Sequence, residues 1–313
     1  MTSRPTVPTS PLNQTTNMRE FTTAKAAEPA ARNAYLTALN GLHVGRTYRL
    51  GAGRLIIGRA PDCDVVIDDD GVSRRHTLFI CTPDGTVVAE DLGSTNGTSV
   101  DGELQAISKL EGGERLMFGS DTIFKFEFRD TIEEEYATYL YESATQDHLT
   151  GVFNGRFLRD QMAVEFAWHK RHEKPLCVIF VDIDHFKQIN DKYGHLVGDQ
   201  ILRELAERCL GATRTEDIFA RYGGEEFTCL LRETSVEVAT MLAERIRRAV
   251  EESPFKCKRS RRDYLVDVTI SVGVAESESR FETADELLEE ADRFLYRAKQ
   301  AGRNRVESKA SGA

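Results

Sequence analysis

The chain has no long hydrophobic run. In 313 residues the longest uninterrupted apolar stretch extends from Leu176 to Val181. A membrane-spanning helix needs about 20 consecutive apolar residues, so no such helix is predicted. The first residues also lack the apolar core of a secretory signal peptide. We therefore expect a cytoplasmic protein without a membrane-inserted segment.

Paired cysteines and an excess of positive charge are also missing. The six cysteines are far apart in sequence, and none forms a Cys-x-x-Cys pair. This spacing argues against a disulfide framework or a cysteine-based zinc site. Lys and Arg number 41 against 51 Asp and Glu, a net charge of −10, and nucleic-acid binding requires clustered positive charge. No nucleic-acid partner is expected, and the one basic cluster, between Lys256 and Arg262, is interpreted as a solvated loop.

Composition divides the chain into segments. Residues 1–37 are rich in Thr, Ser, Pro and Ala and have few large apolar side chains, so they cannot offset the entropy of ordering and are predicted to be a disordered tail. Residues 38–129 hold short alternating apolar runs broken by Gly and Asp, which is typical of a β-sandwich. The threonines of the tail that bear on regulation are Thr2, Thr6, Thr9, Thr15, Thr16, Thr22 and Thr23.

An acidic segment, residues 130–146, is predicted to be a linker helix. Its apolar side chains follow helical spacing. These side chains could pack on a neighbouring domain, or the helix could be a stalk through which two copies dimerise; the sequence leaves both alternatives open. The residues of this stripe are Ile132, Tyr136, Tyr139, Leu140 and Ser143.

Residues 147–308 alternate between helical and strand patterns, and residues 309–313 form a short C-terminal tail. The alternation predicts an α/β or α+β domain with a central sheet flanked by helices. The expected order is a helix near 156–172, a buried strand at 176–181, a helix through Ile201, Leu202, Leu205 and Cys209, a hairpin around 218–231, a helix near 235–252, a strand from Val266 to Val274 and a helix near 284–300. The expected fold class is therefore multidomain, an all-β sandwich followed by an α/β domain.

Two acidic positions in this domain are candidates for metal binding. Asp182 follows the buried strand, and Glu225 and Glu226 follow Gly223 and Gly224 in a tight hairpin turn. We expect these glycines to allow a positive φ and a close approach of ligand. Asp182 is expected to face Glu225 across adjacent strands, where carboxylate oxygens and a backbone carbonyl could bind Mg²⁺. The alternative is an acidic pair that is merely solvated.

Other polar residues suit a nucleotide. Asn190 and Asp199 offer donors and acceptors that can pair with the edge of guanine. Lys299 and Arg303 are four residues apart at the end of an amphipathic helix and share one face. They could bind a triphosphate, or they could only complement the helix dipole.

Residues 147 to about 307 resemble a GGDEF domain, the diguanylate cyclase family. The resemblance is carried by the segments from Asp147 to Asn154, Asp182 to Asp191 and Tyr296 to Arg305, together with the signature from Arg221 to Phe227. One departure is Gly155, where the family usually has the first of two arginines.

The resemblance implies conversion of two GTP into cyclic di-GMP and two pyrophosphates by a homodimer, because each domain holds one GTP. It implies two Mg²⁺ or Mn²⁺ per GTP. It further implies an inhibitory site for the product, although Arg245 could equally have a surface role. The implied residues are Asp182, the Ile183 carbonyl and Glu225 for metal, Glu226 as a catalytic assistant, Lys187, Lys299 and Arg303 for phosphate, Asn190 and Asp199 for guanine, and Arg214, Asp217 and Arg245 for product.

Residues from about 40 to 128 resemble a forkhead-associated (FHA) domain. The matching segments are Gly58 to Arg59, Val72 to His76 and Asp91 to Thr98. The resemblance implies binding of a phosphothreonine peptide, hence a Ser/Thr kinase, and the peptide could be the protein's own tail or another protein. His76 is interpreted as a structural residue. The implied contacts are Arg59, Ser73, Arg74 and Thr95 to phosphate and Asn96 to the peptide backbone.

These observations predict a diguanylate cyclase regulated by phosphothreonine binding. Two alternatives are a non-catalytic adaptor that binds GTP or cyclic di-GMP, and a scaffold whose main function is phosphopeptide binding. The full set of implied nucleotide and metal residues argues against the adaptor.

Overall fold

A computed structural model describes residues 32–40, 44–67, 69–119, 122–214, 216–259 and 262–309. The tail threonines therefore lie outside the described residues. The described chain forms an all-β region, a connecting helix and a C-terminal domain in which helices flank a central sheet.

The all-β region consists of two sheets packed face to face. Its strand order is β2-β1-β11-β10-β7-β8 in one sheet and β4-β3-β5-β6-β9 in the other. Phe79, Phe118, Phe124 and Phe126 are fully buried between them, as expected for a β-sandwich. The strands are β1 (Asn33–Ala38), β2 (Thr47–Leu50), β3 (Gly53–Gly58), β4 (Val65–Val66), β5 (Thr77–Cys81), β6 (Val87–Asp91), β7 (Thr98–Val100), β8 (Glu103–Leu104), β9 (Ile107–Leu110), β10 (Arg115–Phe118) and β11 (Thr122–Arg129).

The region starts earlier than its composition suggested. Strand β1 begins at Asn33, within the segment expected to be tail, and pairs with both β2 and β11. Ala34, Tyr35 and Leu36 are buried. Strand β1 directly follows a polar segment, so composition alone placed the boundary of the all-β region too late.

The connecting helix α1 (Thr131–Thr145) begins at a complete capping box. The Asp130 side chain accepts a hydrogen bond from the Glu133 backbone, and the Glu133 side chain accepts one from the Asp130 backbone. The apolar stripe is exposed, with Ile132 77% and Tyr139 65% accessible. Within the described chain, the stripe therefore does not pack on a neighbouring domain.

The C-terminal domain has a six-stranded sheet in the order β12-β14-β15-β13-β18-β19. Its four central strands are antiparallel, and only the two edge pairs are parallel. The elements are β12 (Phe153–Asn154), α2 (Gly155–His172), β13 (Leu176–Ile183), α3 (Phe186–Tyr193), α4 (His195–Leu210), β14 (Ile218–Gly223), β15 (Glu226–Arg232), α5 (Val236–Glu251), β16 (Phe255–Arg259), β17 (Arg262–Val266), β18 (Ile270–Glu276), α6 (Ala284–Gln300) and β19 (Val306–Ser308).

Strand β13 is buried along its whole length because both faces of the sheet are covered. Cys177 and Ile179 face a core with α4 and α5, whereas Val178 and Phe180 face a second core with α2 and α6. This alternation explains its continuous apolar sequence.

Two expectations for this domain are wrong. The basic cluster is not a loop: β16 and β17 form an antiparallel hairpin in which Phe255, Cys257 and Val266 are buried. The strand expected from Val266 to Val274 is likewise divided into β17 and β18. The exposed basic side chains alternate with the buried ones, and their charge concealed the period-two pattern.

Candidate active site

Three carboxyl groups meet where β13 ends and β15 begins. Asp182 pairs in register with Glu226, not with Glu225 as expected. Glu225 lies next to it in the turn that joins β14 to β15. The site is therefore formed by the antiparallel hairpin, and its cross-strand pair is Asp182 and Glu226.

The hairpin turn does not use a positive φ, contrary to expectation. Neither Gly223 nor Gly224 has φ in the left-handed region. A Cβ on Gly224 would meet no atom within 4 Å, so the space above this residue is open. Gly224 therefore leaves room for a ligand to approach the turn, and it is not required by a strained backbone conformation.

Arg221 holds this turn in place, a role that the sequence did not reveal. Its Nε and Nη2 donate to the Gly224 carbonyl at 3.0 and 2.6 Å, and its Nη1 donates to both carboxylate oxygens of Asp147 at 3.1 and 3.2 Å. Burial alone would raise the pKa of Asp147, but hydrogen bonds from Thr150 and Arg221 outweigh it and lower that pKa. Asp147 thus has an ion-pair partner although residue 155 is glycine.

Gly155 has a packing reason of its own. A Cβ at this position would lie 2.8 Å from the Tyr222 carbonyl oxygen. The start of α2 therefore packs directly against the backbone of β14, and an arginine would not fit here without a shift.

The three carboxyl groups share one close cation. Lys299 Nζ lies 2.8 Å from Asp182 Oδ2. Burial raises the pKa of Asp182, and Lys299 opposes this rise. Burial and the Asp182 carboxylate raise the pKa of both Glu225 and Glu226. The site therefore has more negative charge than its own lysine neutralises.

A second aspartate, Asp184, anchors the segment that carries Arg303. It is buried and accepts hydrogen bonds from Thr269 Oγ1 at 2.7 Å, Ser271 Oγ at 2.6 Å and the Asn304 backbone at 3.0 Å. Arg303 and Asn304 both have a positive φ, 64° and 47°. Asp184 thus stabilises the loop after α6 and brings Arg303 close enough to oppose the rise in the pKa of Asp182 that burial causes.

The residues expected to bind guanine lie on two successive helices. Asn190 is on α3 and Asp199 on α4, and both are partly exposed. Lys187 is exposed in the first turn of α3. Within the described residues, the Asp199 carboxylate has no hydrogen-bond partner and is available to a ligand. The Asn190 amide oxygen is buried and also has no hydrogen-bond partner there.

The donor atoms fit a hard divalent cation. Asp182 and Glu225 supply carboxylate oxygens, and the surplus negative charge would be offset by such an ion. In the described part of the chain, no three His, Cys, Asp or Glu side chains form a metal cluster. A cation here would therefore also need oxygens from the backbone and from a ligand.

Comparison with known proteins decides the family. A family model described as "Diguanylate cyclase, GGDEF domain" matches residues 144–305, more than half of the chain. The chain belongs to the GGDEF family. A second family model, "Inner membrane component of T3SS, cytoplasmic domain", matches residues 37–130.

Individual relatives match through the GGDEF domain. The response regulator PleD of Caulobacter vibrioides is 40% identical over 170 residues, which is 54% of this chain and 37% of that protein. Diguanylate cyclase A of Treponema denticola is 45% identical over 134 residues, 43% of this chain and 35% of the relative. This chain therefore spans little more than a third of the length of these curated relatives.

Solved structures agree with the assignment of the fold. A crystal structure of the coiled coil and GGDEF domain of DgcB from Caulobacter crescentus in complex with c-di-GMP has a TM-score of 0.53 and 32% identity. It covers 56% of this chain and 91% of the other. Diguanylate cyclase SiaD of Pseudomonas aeruginosa, in complex with its activator SiaC, has a TM-score of 0.50 and 33% identity, with 56% and 66% covered.

Of the residues expected to bind product, Arg214 and Asp217 lie in the loop before β14 and Arg245 lies on α5. Asp217 accepts a hydrogen bond from the Arg214 backbone at 2.8 Å, and burial raises the pKa of Asp217. Both line a cavity of about 320 Å³ together with Phe153 and Phe219. Arg245 donates to the Ala212 carbonyl instead, so it supports the loop before Arg214.

In the all-β region, the loops between strands bring the expected phosphate contacts together. Ser73 Oγ accepts a hydrogen bond from the Thr95 backbone at 3.0 Å, and the Arg59 backbone donates to the Ser73 carbonyl at 3.0 Å. Asn96 Nδ2 donates to the Gly71 carbonyl at 2.9 Å. Arg74 is exposed beside Ser73 and lines an open concavity with it.

His76 is structural, as interpreted from the sequence. It is fully buried, its Nδ1 accepts a hydrogen bond from the Ser73 backbone at 3.0 Å, and its Nε2 lies 3.1 Å from the Gly97 carbonyl. Burial lowers the pKa of His76 despite the nearby Asp91 and Asp69. The neutral ring therefore links the loop of Ser73 to the loop of Thr95.

A contact of Asp70 links the all-β region to the GGDEF domain beside these loops. Asp70 lies 3.2 Å from Arg59 Nη1 and 2.7 Å from His172 Nε2 at the end of α2. His172 stacks on Trp168, with ring centroids 4.4 Å apart.

Among the helices that the structure describes, none combines the length and the apolar composition of a transmembrane segment.

Proposed function

We propose that this protein is a diguanylate cyclase that joins two GTP molecules into cyclic di-GMP and releases two pyrophosphates. The observation that carries the proposal is the set of carboxyl groups at Asp182, Glu225 and Glu226 beside Lys299 and the anchored Arg303. The described chain thus combines acidic groups for a metal with basic groups for a triphosphate.

Asp182, Glu225 and the Ile183 carbonyl would hold Mg²⁺ or Mn²⁺, two per GTP. Such ions neutralise phosphate charge and make a ribose hydroxyl a better nucleophile. Lys299 would exchange its contact with Asp182 for phosphate oxygens, and Arg303 and Lys187 would bind the remaining ones. Glu226 lies opposite Asp182, and burial and that carboxylate raise its pKa; it would assist the attacking hydroxyl.

Asn190 and Asp199 would bind guanine. The Asp199 carboxylate can accept hydrogen bonds from the ring N–H and the exocyclic amine, which adenine does not offer in that arrangement. The Asp199 carboxylate, which has no hydrogen-bond partner within the described residues, supports this assignment.

Each domain would hold one GTP, so catalysis requires a homodimer. The exposed apolar stripe of α1 supports self-association through this helix, because Ile132, Tyr136, Tyr139 and Leu140 are between 48% and 77% accessible in the single chain. A second copy packed on this stripe would bring two GGDEF domains together.

The proposal is tested with purified protein, GTP and Mg²⁺, assayed for cyclic di-GMP by chromatography. Asp182→Ala and Glu225→Gln should abolish product formation while both variants melt cooperatively. Absence of product from the wild-type protein under all metal conditions, with GTP still bound, would favour the non-catalytic adaptor instead. Continued synthesis by a folded Glu225→Gln variant would remove Glu225 from the metal role.

The product would inhibit the enzyme at Arg214 and Asp217. The cavity beside them is large enough for a purine base, and the partly exposed Phe153 lines it. Loss of a charged hydrogen bond costs about 1.5–3 kcal/mol, so Arg214→Ala should raise the inhibitory product concentration roughly tenfold or more. Identical inhibition curves would exclude this site.

A phosphothreonine peptide would bind the all-β region at Arg59, Ser73, Arg74 and Thr95, with Asn96 on the peptide backbone. The supporting observation is that Arg59 is already paired with the Asp70 carboxylate, an anion that a phosphate dianion can replace. A Ser/Thr kinase would create the ligand, either in the tail or in another protein. Titration of phosphorylated and unphosphorylated tail peptides, with Arg59→Ala as control, tests this binding.

A further inference from the structure

Helices α3 and α4 approach each other most closely at Gly198. An ideal Cβ on this residue would lie 2.0 Å from Asn190 Oδ1, 3.0 Å from Asn190 Cγ and 3.1 Å from Phe186 Cζ. Cβ atoms do not occupy such distances, so any other residue at 198 would force one neighbour to move. Phe186 is buried in the core and Asn190 is partly exposed, so Asn190 is the side chain that would yield.

The Asn190 amide is oriented by packing and not by a hydrogen bond. Its Oδ1 is buried and, within the described residues, has no hydrogen-bond partner. The oxygen end of the amide is pressed against α4, which leaves the nitrogen end to face outward. In this molecule, therefore, the contact with Gly198 confines the Asn190 side chain to the space beside α4.

The two helices cannot relieve such a contact by moving apart. They are joined by the single residue Gly194, whose φ is +88° and whose backbone N–H donates to the Asn190 carbonyl at 2.8 Å. The β16–β17 hairpin holds this junction from outside, because Arg259 Nη1 donates to the Tyr193 carbonyl at 2.7 Å. Gln200 also makes two hydrogen bonds of 2.8 Å with the backbone of Lys258.

We propose that Gly198 is a positioning residue for base recognition: it admits the Asn190 amide against α4 and so sets that amide for guanine beside Asp199. This inference rests on the proposed function for the identity of the base. The contact between the two residues does not depend on it. A side chain at 198 would push Asn190 into the base site, while Lys299 on α6 and Arg303 in the loop after it would be untouched.

The test is Gly198→Ala, compared with Gly211→Ala at the end of the same helix. A Cβ at Gly211 would make only ordinary contacts, 3.5 and 3.6 Å from backbone oxygens. We expect Gly198→Ala to raise the Kd for a non-reactive GTP analogue at least tenfold, to reduce the preference for it over the inosine analogue, and to leave binding of inorganic tripolyphosphate unchanged. Gly211→Ala should match wild type in all three measurements.

A double variant shows whether Gly198 acts through Asn190. In an Asn190→Ala background, the further change Gly198→Ala should alter the Kd less than twofold. The double variant should also melt at a higher temperature than Gly198→Ala alone, because truncation of Asn190 removes the clash. This second measurement needs no nucleotide and remains decisive if Gly198→Ala folds poorly.

Wild-type affinity in Gly198→Ala, or equal effects of the change in both backgrounds, would overturn the inference. A double variant no more stable than Gly198→Ala would also overturn it, since the clash would then not be with Asn190. Failure of the wild-type protein to bind the GTP analogue would instead count against the proposed function, and the comparison of melting temperatures would still test the contact.

Discussion

At the scale of single residues, Arg221 connects two parts of the candidate site that are far apart in sequence. Its guanidinium bonds the Gly224 carbonyl of the turn and the Asp147 carboxylate, and both ion-pair partners are largely buried, 17% and 23% accessible. Lysine cannot reproduce this forked geometry. Arg221→Lys should therefore lower the free energy of unfolding by about 1.5–3 kcal/mol and reduce cyclic di-GMP synthesis by misplacing Glu225.

Urea denaturation and an activity assay at saturating GTP check this prediction. Arg293→Lys is the matched control, because Arg293 makes exposed ion pairs on α6, and such pairs contribute only about 0–1 kcal/mol. Equal stability losses in the two variants would contradict a special role for Arg221.

His76 predicts a pH dependence of stability in the all-β region. Its folded pKa lies below the ordinary value of about 6.5, because burial disfavours the charged ring. The unfolded chain therefore binds a proton in this range that the folded chain does not, and the free energy of unfolding should fall as the pH drops below about 6.5. Protonation at Nδ1 would also oppose the Ser73 backbone N–H.

The decisive measurement is the difference in stability between the wild type and His76→Asn from pH 7.5 to pH 5.5. Asparagine can still accept from Ser73 but does not titrate, and other histidines cancel in the difference. Hydrogen exchange of β3 and β5, corrected for intrinsic rates, reports the region itself. A difference that does not change with pH would show that His76 is not the titrating group.

The residues expected to touch nucleotide were the ones that sequence could predict. Asp182, Glu225 and Lys299 have side chains whose chemistry suits metal or phosphate, and the structure brings them together. Asp184 and Arg221 were not predicted as anchors, because their roles come from contacts with Asn304 and Asp147, more than 70 positions away. Motif spacing carries no information about such pairs.

At the scale of elements, α1 has an exposed apolar stripe that a second copy of the chain could cover. Ile132 and Tyr136 lie one turn apart on its apolar stripe and are 77% and 62% accessible. Acidic side chains there would repel their counterparts on a second copy. Ile132→Glu with Tyr136→Glu should therefore shift the protein toward monomer and lower the specific activity most at low protein concentration.

Sedimentation velocity and activity measured over a range of protein concentrations test this role of α1. Thr138→Glu, an exposed position on the opposite face of the same helix, controls for added charge. A variant that remains dimeric and fully active would exclude the stripe as a dimer contact.

Elements with strong periodicity were predicted well, and short or charged ones were not. The long helices α2, α5 and α6 and the buried strand β13 have apolar patterns that fit one period. Strand β8 has only two residues, both exposed, so its pairing with β7 depends on tertiary context. The β16–β17 hairpin was missed because lysine and arginine occupy its outward positions.

At the scale of the whole molecule, Asp70 is shared between the proposed phosphopeptide site and the GGDEF domain. It pairs with Arg59 on one side and with His172 on the other. A phosphate bound to Arg59 would displace Asp70 from Arg59. The contact between Asp70 and His172 of α2 would then change in strength. Because Asp70 is 59% accessible, such a pair contributes at most about 1 kcal/mol, so the expected change in activity is limited to about fivefold.

The coupling is tested by measuring cyclic di-GMP synthesis while a phosphothreonine peptide that binds the wild-type protein is titrated. We expect the peptide to change wild-type activity within that fivefold range. Asp70→Asn and His172→Gln should still bind the peptide through Arg59 but no longer respond. Arg75→Gln removes an exposed pair with Asp62 in the same loops and should respond as wild type does. If Asp70→Asn and His172→Gln kept the full response, the contact between Asp70 and His172 would not carry the signal.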